Sequence, residues 1–274
     1  MVEVKGNRMT GKKICFFDID GTLTDERGGA VIRVPESTRE ALQKAHDAGV
    51  LLFVNTGRPI STVPQIIKEL PLDGFVCACG TWIMMHGNEL FRHVIEEQER
   101  QHIMRTVDEL QISCVYEAKE GFAFVDHCQH GPMMEIVKTY IKDGFKLLDV
   151  HPDLVFEKFC LFVDPAKGWP DLSFVDQYDK IFKYGYFCET VPLACSKGKA
   201  VEYLLKELKI SHENSYGFGD SVNDVEMLKA VHHSVVMDNA PDEVKALGTY
   251  LAEKASEDGL YKVMVHLGLI EEEA

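Results

Sequence analysis

The feature that most limits what this chain can fold into is an apolar run that delivers two carboxylates into a glycine turn. Residues 13–17 read KICFF and are followed at once by DIDGTL at 18–23. Because side chains alternate along an extended strand, Asp18 and Asp20 lie on the same side of the strand end. Two carboxylates in that position can share a cation and divide the work of nucleophile and general acid/base. Taken alone, the segment could also be a strand that ends in an ordinary Asp-Gly turn.

Apolar segments with strand character recur along the chain, and helical patterns separate most of them. They fall at residues 13–17, 50–54, 74–79, 215–218 and 234–237. The clearest helix begins near Lys199, and another runs from Ser37 to Ala45. Alternating strands and helices predict an α/β fold with a parallel, doubly wound sheet. Ligands of such sheets bind beyond the carboxyl ends of the strands.

Three later segments carry polar side chains directly after such strands or at a helix start. Residues 55–58 read NTGR, residues 196–200 read SKGKA, and residues 219–224 read GDSVND. Each has an ordinary explanation on its own, since Lys197 could be a surface lysine and Thr56 a helix cap or turn residue. The acidic segment could be a turn with a helix cap. Their occurrence together, after the appropriate strands, indicates a common site.

The four polar segments resemble, in order, motifs I to IV of the haloacid-dehalogenase-like (HAD) superfamily of phosphohydrolases. The resemblance implies a Rossmann-like core (the HAD fold), an aspartyl-phosphate intermediate and Mg²⁺ as cofactor. It implies catalytic roles for Asp18, Asp20, Thr56 and Lys197, substrate contacts from Thr56, Gly57, Arg58, Lys197 and Asn223, and metal binding by Asp18, Asp20, Asp220 and Asp224. Asp20 would act through its backbone carbonyl as a metal ligand and through its carboxyl group as the proton donor. An aspartate at position 20 implies phosphatase or phosphomutase chemistry rather than dehalogenation.

More than 130 residues separate the third and fourth apolar segments, and that stretch is not loop-like. It contains an amphipathic pattern at 94–110 and strand candidates at 112–116, 122–125, 158–163 and 181–187. We expect residues 82–190 to form an inserted α+β domain and residues 1–81 and 191–274 to form the core. An insertion at this point, between motifs II and III, resembles the type IIB cap of the Cof-like branch. Phe122, Lys158 and Glu189 are candidate specificity residues of that cap, with none preferred.

Two short segments depart from the pattern common in that superfamily. Residues 79–81 read CGT where an Asn-Gly-Ala sequence is usual, so a thiol replaces a polar contact. Residues 237–240 read MDNA where Met-Gly-Asn-Ala is usual, and we expect Asp238 to bring an extra carboxylate close to the site. Both segments follow predicted strands of the core.

Charge and composition limit the partners of this chain. The formal charge of −15 over 274 residues argues against a nucleic-acid partner, whereas a small phosphorylated metabolite remains possible because a bound divalent ion reverses the local field. No apolar stretch approaches the roughly 18 residues of a membrane span, and the N-terminal residues lack the apolar core of a signal peptide. We therefore expect a cytoplasmic monomer or weak homodimer without a membrane partner, whose eight cysteines are free thiols.

These observations together predict a Mg²⁺-dependent phosphatase of small phosphomonoesters such as sugar phosphates or phosphorylated cofactors. Two alternatives remain open at this point. A phosphomutase of the phosphomannomutase type would return the phosphoryl group to its substrate. A phosphometabolite sensor would keep the fold without the chemistry.

Overall fold

The computed structural model describes residues 11–25, 33–129 and 131–272. They form an eight-stranded, mainly parallel sheet and a separate five-stranded antiparallel sheet. The predicted α/β core with an α+β cap is confirmed. Parts of the predicted core, at 1–10, 26–32 and 273–274, lie outside the described residues, as does the segment on which the signal-peptide argument depends.

The larger sheet carries the motif segments at the ends of its central strands. Its strands are β1 (Ile14–Phe17), β2 (Leu51–Asn55), β3 (Gly74–Cys77), β4 (Trp82–Met85), β5 (Asn88–Arg92), β11 (Ser215–Gly219), β12 (His233–Met237) and β13 (Tyr250–Ala252). They are ordered β13-β12-β11-β1-β2-β3-β4-β5, and the pairs β3–β4 and β4–β5 are antiparallel while the others are parallel. Because β1 pairs in parallel with β11 and β2, the residues that follow these three strands meet at one edge of the sheet.

Helices cover both faces of this sheet. The core helices are α1 (Glu36–Asp47), α2 (Gln65–Lys68), α5 (Lys197–Leu208), α6 (Val225–Ala230), α7 (Asp242–Lys245) and α8 (Gly259–His266). Alternate residues of β1 belong to different hydrophobic clusters, Phe17 with residues of α1 and α8, and Phe16 with residues of α5. The sheet is therefore doubly wound. No helix among the described residues is long and apolar enough to cross a membrane.

The smaller sheet and two helices form the cap. The cap contains α3 (Glu97–Leu110), β6 (Ser113–Ala118), β7 (Gly121–Val125), α4 (Gly131–Lys142), β8 (Lys158–Phe162), β9 (Tyr178–Lys183) and β10 (Phe187–Pro192), and its strand order is β7-β6-β8-β10-β9. The prediction of one strand over 181–187 was wrong. Tyr184 and Gly185 adopt φ of 58° and 73°, so the chain reverses there and forms a hairpin between β9 and β10.

The sheet topology favours a boundary between core and cap that differs from the expected one. The chain turns at Ala78, Cys79 and Gly80, all with positive φ, and then runs back along β3 as β4 and β5. Residues 82–92 thus belong to the larger sheet. The last strand of the cap sheet along the chain, β10, ends at Pro192. We therefore propose that the inserted domain begins after Arg92 and ends near Pro192.

Candidate active site

A buried lysine joins the carboxylates of two motif segments. Asp18 follows β1 directly and is 5% exposed, and Lys197 is the first residue of α5. The Lys197 Nζ lies 2.6 Å from Oδ1 of Asp18 and 2.6 Å from Oδ1 of Asp224. Asn55 donates a hydrogen bond to the Lys197 carbonyl at 3.0 Å, which fixes the start of α5 against the end of β2. Three of the four motif segments therefore meet at this ammonium group.

Burial and charge act in opposite directions on this pair. Burial raises the pKa of the Asp18 carboxyl to about 7, against the effect of the neighbouring Lys197 ammonium. Burial alone lowers the pKa of Lys197, but Asp18 and Asp224 outweigh it and hold that pKa well above its ordinary value. Lys197 is therefore cationic. Further positive charge beside Asp18 would favour its ionised form.

Three buried carboxylates form a group with the spacing of metal ligands. Asp18, Asp220 and Asp224 each offer an oxygen, and these oxygens lie within 4.8 Å of one another. Asp224 is also bound within its own loop, because its Oδ2 accepts hydrogen bonds from the backbone N–H groups of Asp220 and Ser221 at 3.1 and 3.0 Å. Carboxylate oxygens are the donors that hard divalent cations such as Mg²⁺ prefer. The single ammonium group of Lys197 does not neutralise three carboxylates, so the remaining negative charge would attract such a cation.

Asn239 is the residue of this region that the sequence reasoning missed. Its Nδ2 donates to Oδ2 of Asp220 at 2.8 Å and to the Gly21 carbonyl at 3.1 Å, while its buried Oδ1 has no hydrogen-bond partner among the described residues. The expectation that Asp238 brings a carboxylate to the site was wrong, because Asp238 is exposed and pairs with Lys245 at 2.9 Å. The unpartnered amide oxygen of Asn239 is consistent with a cation or ordered water beside Asp220.

Gly21 allows the first motif to approach Asp220 closely. Its φ is +84°, and a Cβ built on it would lie 2.2 Å from Oδ2 of Asp220. Gly21→Ala should therefore lower the free energy of unfolding by about 1–3 kcal/mol and displace Asp220, with a large loss of activity. Thermal unfolding and kcat would both be measured. Gly49→Ala is the matched control, because Gly49 has φ +81° with nothing within 4 Å of the added methyl group. Equal effects of the two substitutions would contradict the role of the Gly21 contact.

Asp20 is separate from the carboxylate group in this structure. Its side chain is half exposed and forms a two-pronged ion pair with Arg58, with Nε to Oδ2 at 2.7 Å and the second guanidinium nitrogen to Oδ1 at 2.8 Å. The Arg58 backbone N–H donates to Oγ1 of Thr56 at 3.2 Å, so the turn after β2 holds both side chains. The carboxyl group expected to carry protons therefore faces an arginine, and metal binding by its backbone carbonyl stays a proposal.

The turn after β2 also contacts the cap. The Gly57 carbonyl accepts a hydrogen bond from Nζ of Lys158 at 2.8 Å. A Cβ on Gly57 would lie 3.3 Å from Oε1 of Glu189 and 3.4 Å from Sγ of Cys79, so these groups crowd the turn. The Cys79 thiol donates to Oε1 of Glu189 at 3.8 Å, and burial raises its pKa to about 12, which disfavours the thiolate. Asn223 accepts a hydrogen bond from the Ser221 hydroxyl at 2.5 Å.

A cavity of about 680 Å³ lies between the motif segments and the cap sheet. Its lining comprises Asp18, Asp20, Thr56, Gly57, Arg58, Val115, Glu117, Glu135, Ile136, Thr139, Tyr140, Lys158, Cys160, Phe162, Tyr184, Phe187, Glu189, Asp220, Ser221 and Asn223. Of the three cap candidates, Lys158 and Glu189 line this cavity. Phe122 instead packs in a cap hydrophobic cluster with α4. The cavity size suits a small-molecule ligand.

The family follows from a match that spans most of the chain. Residues 15–264 match the model of haloacid dehalogenase-like hydrolases. The chain belongs to this family. Its HMP-PP phosphatase relative from Klebsiella pneumoniae is 27% identical over 256 residues, which cover 85% of this chain and 87% of that protein. The 5-amino-6-(5-phospho-D-ribitylamino)uracil phosphatase YcsE of Bacillus subtilis is 25% identical over 260 residues, covering 93% and 95%.

Solved structures of similar proteins share the same fold. A protein of Geobacillus kaustophilus is 26% identical with a TM-score of 0.81, covering 95% of this chain and 100% of that chain. The HAD subclass IIB sugar phosphatase BT4131 is 24% identical with a TM-score of 0.78, covering 94% and 100%. The predicted membership, the IIB arrangement of core and cap, and the prediction of a HAD-like phosphatase are thereby confirmed.

Proposed function

We propose that this HAD-like phosphatase hydrolyses small phosphomonoesters through an aspartyl-phosphate on Asp18, with Mg²⁺ as cofactor. The observation that carries the proposal is the buried Asp18 carboxylate, with Nζ of Lys197 at 2.6 Å and two further carboxylates within 4.8 Å, on the wall of a cavity of about 680 Å³. The phosphatase names of the relatives from Klebsiella pneumoniae and Bacillus subtilis support the same reaction class.

In the first step, an Asp18 oxygen attacks phosphorus and the bond to the ester oxygen breaks. The Lys197 ammonium and the Thr56 hydroxyl would contact the phosphoryl oxygens, where negative charge accumulates. Asp20 would give its proton to the leaving alkoxide. In the second step Asp20 takes a proton from the water that attacks phosphorus, so that inorganic phosphate leaves and the Asp18 carboxylate is restored.

Arg58 would position Asp20 between these steps. Its guanidinium group holds both Asp20 oxygens, and the side chains are 24% and 49% exposed. The pair is bidentate and partly exposed, so it orients Asp20 at the cavity, and Asp20 would exchange one of these contacts for one with substrate. Gly57 and Asn223 line the same cavity and complete the proposed set of substrate contacts.

The donor set fits a hard divalent cation. The proposed Mg²⁺ ligands are Asp18, Asp220 and the backbone carbonyl of Asp20. Asp224 would complete the outer shell, where it contacts Lys197 and the backbone N–H of Asp220. When bound, Mg²⁺ neutralises negative charge on the phosphoryl group, which lets a carboxylate approach it.

Removal of divalent cations should abolish phosphatase activity, and adding Mg²⁺ should restore it. Ca²⁺ should support turnover poorly, because its larger and looser shell of ligands does not fix an in-line geometry. Release of p-nitrophenol from p-nitrophenyl phosphate would be measured in the presence of a chelator and again after each cation is added. A chelator already saturated with Mg²⁺ is the control. Full activity in the unsaturated chelator would contradict metal dependence.

Free phosphate distinguishes the proposal from its two alternatives. A phosphatase releases phosphate from a hexose phosphate without an added bisphosphate, whereas a mutase returns the phosphoryl group to the sugar. A sensor would turn over neither this ester nor p-nitrophenyl phosphate. Steady phosphate release that follows enzyme concentration is the expected result.

A further inference from the structure

Three buried charged residues of the cap sheet face the cavity and take no part in the proposed transfer. They are Glu117 on β6, Lys158 on β8 and Glu189 on β10, which we call the cap triad, and they are 5%, 2% and 6% exposed. The three strands are neighbours in the sheet, and Glu117 pairs directly with Lys158 in the register of β6 and β8. The Lys158 ammonium contacts both carboxylates, lying 3.2 Å from Oε2 of Glu117 and in a close ion pair with Glu189.

The cap triad is fixed beside the phosphoryl site by a contact with the core. Nζ of Lys158 donates to the Gly57 carbonyl at 2.8 Å, and Gly57 lies between Thr56 and Arg58. Oε1 of Glu189 lies 3.3 Å from the position that a Gly57 Cβ would occupy. A phosphomonoester bound at Asp18 would thus bring its organic part against these side chains, since all of them line one cavity.

Glu117 has an oxygen available to a ligand. Its Oε2 is buried and pairs with the Lys158 ammonium at 3.2 Å, but it accepts no well-aligned hydrogen bond from the described residues. A carboxylate oxygen has two acceptor sites, so a ligand N–H or O–H group would add a second and better aligned donor to this ion pair. Burial also raises the pKa of Glu117, so a donor from the ligand would stabilise the ionised carboxylate, whereas a second anion would destabilise it.

The remaining lining of the cap side is mostly apolar or acidic. Tyr140, Phe162 and Phe187 provide aromatic surface, and Glu135 is already paired with Lys138 at 2.8 Å. With both glutamates ionised, the cap triad carries one negative charge in excess, and the Arg58 guanidinium across the cavity is already paired with Asp20. An anionic group on the substrate would lose its water there and meet like charge, which costs more than it gains.

We propose that the cap triad determines specificity by accepting hydrogen bonds from hydroxyl or amino groups of the leaving group and by excluding substrates that carry a second anionic group. The inference rests on the proposed phosphatase function and names its substrate class. The favoured substrates are phosphate esters of polyols, sugars or amino alcohols. Phosphorylated acids and bisphosphates are disfavoured.

Matched pairs of esters test the proposal in the wild-type enzyme. Glycerol 3-phosphate is compared with 3-phosphoglycerate, glucose 6-phosphate with 6-phosphogluconate, and phosphoethanolamine with phosphoglycolate, by release of inorganic phosphate. The neutral or cationic member should have a kcat/KM at least about tenfold higher in each pair that is turned over. Anionic members hydrolysed as well as their partners would overturn the proposal. Turnover of p-nitrophenyl phosphate without turnover of any paired ester would overturn it too.

Glu117→Gln tests which residue carries the selectivity. The amide keeps the size of the side chain but removes its charge and adds a donor, so the preference within each pair should shrink by about tenfold. Glu120→Gln is the matched control, because Glu120 lies exposed in the turn between β6 and β7 and should leave the preference unchanged. Turnover of p-nitrophenyl phosphate by the same samples shows that the phosphoryl transfer to Asp18 still works. If the wild-type enzyme did not turn over this ester, the result would count against the proposed function itself. A preference that Glu117→Gln leaves intact would overturn the assignment.

Discussion

Asp18→Asn should lower kcat by at least about three orders of magnitude for every phosphomonoester, aryl or alkyl. The amide has nearly the shape of the carboxyl group but is a poor nucleophile, so the phosphoryl group has no acceptor. Lys197 keeps its second partner, Asp224, at 2.6 Å, and the variant should therefore remain folded. Steady-state turnover of p-nitrophenyl phosphate and glycerol 3-phosphate would be measured together with thermal unfolding.

The control for this substitution is Asp238→Asn. Asp238 follows a strand of the same sheet and pairs with Lys245 at the surface, outside the cavity, so its replacement should leave kcat nearly unchanged. If Asp18→Asn kept more than about a tenth of wild-type turnover while folded, Asp18 would not be the nucleophile.

Asp20→Asn should separate the two steps by the chemistry of the leaving group. An alkoxide leaves poorly without a proton, so turnover of an alkyl phosphate should fall by about two to four orders of magnitude. Nitrophenolate needs little protonation, so p-nitrophenyl phosphate should still transfer its phosphoryl group to Asp18. The second step then lacks its base. Rapid mixing should show a burst of at most about one equivalent of nitrophenol, followed by slow turnover.

Comparison of the two esters in the same variant serves as the internal control. Equal losses for the alkyl and the aryl ester, without a burst, would contradict a general acid role for Asp20. The ion pair with Arg58 does not explain a difference between esters, because its loss affects both alike.

The meeting of the four motif segments could be predicted from the sequence because parallel strands end at one edge of their sheet. Once residues 13–17, 50–54 and 215–218 are interpreted as neighbouring strands, Asp18, Thr56 and Asp220 must lie near one another. Lys197 followed from its position at a helix start. These inferences need only local patterns and one rule of topology, and the carboxylate group of Asp18, Asp220 and Asp224 agrees with them.

The cap could be predicted only in outline. The contact of Glu117 with Lys158 depends on the register between β6 and β8, which lie about 40 residues apart in sequence, and no local pattern fixes such a register. A positive φ is uncommon for an aromatic residue such as Tyr184, so the sequence predicts one strand where the structure has a hairpin.

The sequence directed attention to Asp238, but it is the next residue, Asn239, that contacts the site. Beyond the end of β12 at Met237, the direction of each side chain depends on the turn rather than on strand alternation. The more conspicuous carboxylate of Asp238 points to Lys245, and the amide beside it reaches Asp220. Both residues were visible in the sequence, but only the backbone path decides between them.

The phosphoryl group trapped on the protein tests the central claim most directly. Asp20→Asn would be mixed with p-nitrophenyl phosphate, quenched in acid within the burst and analysed by intact mass and by mass mapping of the peptide that contains residues 14–23. We predict the added mass of one phosphoryl group on Asp18, sensitive to hydroxylamine as an acyl phosphate is, and absent when Asp18 is also replaced by asparagine. A phosphoryl group on any other residue, or a burst without phosphorylated protein, would contradict the account.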